Sequence, residues 1–119
     1  MFVIYHNPRC STSRKALERL EATGERVEVI RYLEDGWTRG QLLGLFAAAG
    51  ITPAEALRKR EDGAAALQGA DDETILAAMV TDPALVERPI VCGPRGVRLC
   101  RPFERIEDIL PAPGAPATP

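Results

Sequence analysis

The chain has 119 residues, a net charge of −2 and 45% hydrophobic residues, which fits one domain with its own core and makes a second of ordinary size very unfavourable. With charge close to balance, neither a polyanionic nucleic acid nor an acidic membrane surface is favoured as a partner. Of the 15 cations, 13 are arginine; the planar fork of that side chain suits tetrahedral oxyanions, so arginines in special positions are the informative ones.

Phe2-Val3-Ile4-Tyr5 is a short apolar run that predicts a buried strand. It starts without a basic and apolar leader, and no stretch approaches the roughly 18 apolar residues of a membrane span, so a soluble cytoplasmic protein is expected. After a loop, Ala16, Leu17, Leu20 and Ala22 predict an amphipathic helix that Gly24 closes. Val27, Val29 and Ile30 predict the next strand. A right-handed β-α-β crossover makes these two strands parallel and puts the loop after the first at the carboxyl edge of the sheet, where open α/β sheets bind ligands.

Tyr32 and Trp37 are expected to pack near the end of the second strand. Thr38 with Gln41 fits a capping box opening a helix through Leu42, Leu45 and Phe46 to Gly50, and Thr52-Pro53-Ala54-Glu55 repeats the start signal with proline at the first helical position. Residues 60 to 70 are polar and rich in glycine and alanine. Asp72 is expected to cap a helix through Ile75, Leu76 and Met79, and Asp82-Pro83 to open another short one. Ile90-Val91-Cys92 and Val97-Arg98-Leu99-Cys100 flank Gly93-Pro94-Arg95-Gly96 as a hairpin, and Pro102 starts a last amphipathic helix with Phe103, Ile106, Ile109 and Leu110. The proline- and alanine-rich tail, 111–119, is expected to be disordered.

This order, β-α-β, then a helical insertion over about 38–87, then β-β-α, is the thioredoxin-like three-layer α/β arrangement with a mixed four-stranded sheet. It predicts a single domain over 1–110. Pro89 falls just before the third strand, where that fold commonly keeps a cis-proline facing its reactive group.

Cys10 stands in His6-Asn7-Pro8-Arg9-Cys10-Ser11-Thr12-Ser13-Arg14, between the first strand and the first helix. Unpaired N–H groups of a first helical turn, with the helix dipole behind them, favour a thiolate and can also hold an oxyanion. Such settings bring a cysteine down to roughly 3.5–7.5, which makes Cys10 the candidate nucleophile. His6 either attracts the thiolate in its protonated form or is a plain loop histidine. Thr12 and Ser13 either donate to the sulfur or cap the helix. Cys92 and Cys100 fall in predicted strands and are read as core. Three cysteines without a C-x-x-C pair or zinc spacing leave no basis for a disulfide framework or a metal site.

Taken together, His6-Asn7-Pro8, Cys10, Thr12-Ser13-Arg14, Leu57-Arg58-Lys59, Arg88-Pro89-Ile90-Val91 and Arg98-Leu99-Cys100-Arg101-Pro102 resemble the glutaredoxin-dependent arsenate reductase family, over about residues 3 to 110. The resemblance implies that Cys10 is the nucleophile, that Arg58, Arg88 and Arg101 bind the oxyanion, and that His6 helps to lower the thiol pKa. It also implies that arsenate is held in part by N–H groups around Ser11 to Arg14. It implies further that glutathione is the reducing co-substrate, glutaredoxin the protein partner, and that no cofactor is bound; a monomer is expected. Position 13 is serine, so no resolving thiol sits three residues after Cys10, as suits completion by an external thiol.

Ser11 stands where the family usually has glycine and Arg9 where it often has a small residue; Ser11 would resist a left-handed loop conformation. Two alternatives follow from the same fold: another glutathione-dependent thiol oxidoreductase, or a redox-responsive transcription regulator that binds RNA polymerase. The regulator reading lacks the C-x-x-C switch and gives Arg58, Arg88 and Arg101 no evident task.

Overall fold

The computed structural model describes residues 1–111; the expected disorder of the tail therefore lies, from residue 112 on, outside the described residues. Two compact units are distinguished, one made of Met1–Arg31 with the chain from Arg88, the other of Tyr32–Glu87.

The first unit holds the sheet: β1 (Phe2–Tyr5), β2 (Val27–Ile30), β3 (Ile90–Gly93) and β4 (Gly96–Leu99), in spatial order β2-β1-β3-β4. β1 runs parallel to β2, with Phe2 opposite Val27 and Tyr5 opposite Ile30, and antiparallel to β3, with Ile4 opposite Val91. β3 and β4 form the expected hairpin, Ile90 opposite Leu99. A parallel pair needs a long crossover, and α1 (Ser11–Glu21) supplies it. Its Ala16 and Leu20 join Phe2, Ile4, Val91, Cys100, Ile106 and Ile109 in one buried cluster. Gly24 sits beyond the helix end, at φ +80°, rather than closing it; Ala22 is the last capping residue.

The final segment is a 3₁₀ helix, Phe103–Ile109, rather than the expected α-helix. Its apolar residues, Phe103, Ile106 and Ile109, recur every third position. Three residues per turn bring such a set onto one edge, which is the face that meets the core. The Arg88-Pro89 and Arg101-Pro102 peptide bonds are both cis.

The second unit is built from α2 (Tyr32–Asp35), α3 (Arg39–Ala49), α4 (Pro53–Ala56), α5 (Asp72–Thr81) and 3₁₀ turns at Ala65–Leu67 and Pro83–Leu85. Reciprocal capping boxes close at Thr38 with Gln41 and at Thr52 with Glu55. The cap of α5 is Asp71, not Asp72: its carboxylate accepts the Thr74 N–H at 2.8 Å. The short helix at Tyr32 carried no periodic signal; Tyr32 is buried there and stacks on Trp37 with ring centroids 5.1 Å apart. The Trp37 indole N–H donates to the Pro83 carbonyl at 3.3 Å. Leu57 bridges Val86, and the Arg58 N–H donates to the Leu85 carbonyl at 2.7 Å, fixing the backbone that carries Arg58.

Gly93 ends β3 against the buried ring of Phe2, where a β-carbon would stand 2.6 Å from two ring carbons. Because the Phe2 ring is fully enclosed, it has no room to yield. Gly93→Ala is expected to destabilise the protein by about 1–3 kcal/mol, read as a lower denaturant midpoint; an unchanged midpoint would contradict this packing.

Candidate active site

The loop between β1 and α1 is tied at almost every residue. Asn7 follows the end of β1, and its side-chain Oδ1 accepts the Arg9 N–H at 3.0 Å, an Asx turn. The Asn7 carbonyl accepts the Cys10 N–H at 3.0 Å, and the Pro8 carbonyl accepts Arg14 Nη1 at 2.8 Å. Ser13, one turn into α1 and fully buried, reaches back with its hydroxyl oxygen: it accepts the Asn7 N–H at 3.0 Å and lies 2.6 Å from His6 Nδ1. Strand end and helix start are thereby joined through one oxygen atom.

This places Cys10 at the N-cap of α1, in extended conformation. No side-chain cap hydrogen bond of ordinary geometry closes there, but the sulfur lies where an N-cap oxygen would, before the first free N–H groups. Burial alone pushes the thiol pKa up. The backbone N–H of Ser13, the Arg88 charge, the Arg101 guanidinium and the Thr12 N–H together outweigh burial and hold it below the ordinary value. Arg101 Nη1 donates to Cys10 Sγ at 3.7 Å and to the Arg88 carbonyl at 3.0 Å, which binds the two arginine positions to each other. Arg101 and Arg88 are both half-buried, so their charges are screened less than surface charges would be.

The imidazolium route to the thiolate is not what this geometry holds. His6 is buried, and burial, followed by the charges of Arg31 and Arg14, depresses its pKa, favouring neutral imidazole. Its contact with Ser13 makes it a part of the loop's scaffold instead. Ser13 and Thr12 act on the sulfur through their backbone, while the Ser13 hydroxyl is spent on Asn7 and His6. Ser11 is the first residue of α1, and no non-glycine residue among those described has positive φ, so serine at 11 meets no left-handed requirement.

Cys10, His6, Ser11, Thr12, Ser13, Arg14, Arg88 and Arg101 thus come together in the first unit. Arg58 belongs to the second, where its Nη1 pairs with Glu61 at 2.8 Å. Cys92 and Cys100 are set the opposite way to Cys10: burial raises both thiol pKa values, that of Cys100 to about 12. Two contributors escaped the sequence reading. Asn7 was legible as an Asx-turn residue before proline, whereas Arg31 acts on His6 only through the parallel β1/β2 pairing and left no local sign.

A mixed sheet with a cysteine of lowered pKa at the start of its first helix and two arginines around it defines a protein of thioredoxin-like fold. Comparison with known proteins narrows this class. The profile of the ArsC family matches residues 5–109. An arsenate reductase of Synechocystis sp. is 55% identical over 114 residues, covering 92% of this chain and 81% of that protein. The arsenate reductase of Escherichia coli strain K12 is 42% identical over 112 residues, covering 91% and 79%. Among solved structures, the arsenate reductase from Vibrio cholerae superposes with a TM-score of 0.84 at 38% identity, covering 92% of this chain and 97% of that one. The chain belongs to the ArsC family.

Since the folded state binds the Cys10 proton less tightly than the unfolded chain does, its contribution to stability is full above the ordinary thiol value of 9.0 and is lost as the pH falls through the folded pKa. Alkylation of Cys10 by iodoacetamide is expected to titrate below 9.0. Ser13→Ala leaves the Asn7 N–H and His6 Nδ1 without their shared oxygen, at a cost of about 1–3 kcal/mol, and is expected to move the alkylation midpoint upward. A midpoint unmoved in that variant would show that the hydroxyl plays no part in holding the loop.

Proposed function

We propose that the protein is an arsenate reductase that uses Cys10 as nucleophile and an external thiol as reductant. Arsenate near neutral pH is a tetrahedral anion, and bringing it to an anionic sulfur is repulsive unless cations and oriented N–H donors surround both. Arg88 and Arg101 supply the charge, the N–H groups from Ser11 to Arg14 supply donors, and Arg58 is the third arginine in this reading.

Cys10 Sγ attacks arsenic; the S–As bond forms as an oxygen, taking up protons, leaves as water. The adduct still contains arsenic(V). Glutathione then attacks Cys10 Sγ, an S–S bond forms, and the S–As electron pair departs with arsenic, now arsenic(III), as arsenite. Glutaredoxin removes glutathione from the mixed disulfide and restores the Cys10 thiol. A reducing cytoplasm suits this cycle, since it keeps Cys10 as a thiol between turnovers; no described helix is long and apolar enough to cross a membrane. In this reading the protein acts as a monomer, without a bound cofactor.

The observation that carries the proposal is the convergence of Arg101, Arg88 and two backbone N–H groups on one sulfur, in a chain closely similar to proteins named arsenate reductases. The test is arsenite formation by the purified protein with glutathione, glutaredoxin and arsenate. Cys10→Ser is expected to abolish it, and Arg88→Ala or Arg101→Ala to lower kcat/KM about ten- to a hundredfold each, the value of one charge-assisted hydrogen bond. A folded wild-type protein that makes no arsenite, while Cys10 still alkylates as a thiolate, would point to a different oxyanion.

A further inference from the structure

One cation beside the nucleophile has no task in the scheme above. Arg9 is exposed and one peptide from Cys10, about 3.8 Å away between Cα atoms. Its backbone is held by Asn7 Oδ1, and its neighbours on both sides are tied by Arg14 to Pro8 and by Asn7 to Cys10. No hydrogen bond or ion pair among the described residues engages its guanidinium. The arginines tied into the site and the helix beside it are committed: Arg14 to Pro8, Arg19 to Glu107, and Arg101 to the sulfur and to Arg88. Arg26, Arg95 and Arg105 share the lack of a side-chain hydrogen bond or ion pair among the described residues but stand away from Cys10 along the chain.

The charge balance of the second chemical step calls for a cation in this place. Once Cys10 carries an oxyanion, Arg88 and Arg101 face that anion, and the thiol that must next reach Cys10 Sγ is itself negative. Glutathione bears two carboxylates against one ammonium, and a further charge as its thiolate. An exposed guanidinium on a fixed backbone offers a carboxylate a planar, two-pronged partner at little ordering cost in the chain.

We propose that Arg9 determines the specificity for the thiol co-substrate, selecting carboxylate-bearing thiols of the glutathione kind over neutral ones. The inference deepens the glutathione-dependent reading of the same site, yet it is testable without arsenate. In thiol-disulfide exchange, the Cys10 thiolate attacks glutathione disulfide; a Cys10-glutathione S–S bond forms, the original S–S bond breaks, and glutathione leaves as thiolate. Hydroxyethyl disulfide undergoes the same exchange without carboxylates.

Rates are followed by mass spectrometry of the Cys10 peptide, at low ionic strength and a pH above the ordinary thiol value of 9.0, so that the thiolate fraction does not differ between variants. Arg9→Ser is expected to slow exchange with glutathione disulfide about two- to fivefold, the upper range of one exposed charge contact, and Arg9→Glu to slow it further. Exchange with hydroxyethyl disulfide is expected to stay unchanged, and the difference between the disulfides to shrink as salt screens it. Equal slowing with both disulfides, or no change with either, overturns the proposal. Selective exchange in a protein that forms no arsenite would support the role of Arg9 while removing the arsenate reading.

Discussion

The Cys10 sulfur sits in a setting largely closed to water, yet its pKa is held below the ordinary value, and the loop around it is arranged to that effect. Enclosure by itself favours the neutral thiol. The opposing contributions all depend on angle and distance: N–H groups of one helical turn, a guanidinium 3.7 Å away, and a second arginine held to the first through its carbonyl. Each of these is small or large according to how well the loop keeps its shape. The shared Ser13 oxygen therefore matters more than its own bonds, because it fixes where β1 ends relative to where α1 begins.

The sheet explains why that loop has a rigid base. β1 is flanked by β2 on one side and β3 on the other, so the strand leading into the loop is held by two ladders. Beneath it, Phe2 and Ile4 share the core with Ala16 and Leu20 of α1, and the glycine at 93 lets β3 approach the Phe2 ring. The surface ion pairs, such as Arg19 with both carboxylate oxygens of Glu107, join α1 to the last 3₁₀ helix. They are exposed and add little compared with the apolar cluster beneath them.

Much of this was legible in the residues themselves. Strand runs, two capping boxes, the hairpin and the position of Cys10 before a helix are local signals, and local signals survive folding when tertiary packing agrees with them. The last helix was misjudged because a three-residue repeat of Phe103, Ile106 and Ile109 is compatible over seven residues with either helical period. The short helix at Tyr32 had no periodicity to display; burial of an aromatic pair organises it. At the site, the nucleophile could be placed from sequence, but the protonation state of His6 could not. Its pKa is depressed first by burial and then by Arg31, which is far from it along the chain and near it only through strand pairing.

The three thiols of the molecule are unequal in a way that constrains its traffic with the outside. Enclosure raises the thiol pKa of Cys92 and Cys100, whereas that of Cys10 is held down. In the proposed cycle the oxidised Cys10 is therefore discharged by a thiol from outside the chain. On that proposal every catalytic round ends in a bimolecular collision, and throughput becomes a property of the surrounding reductant supply as much as of the fold.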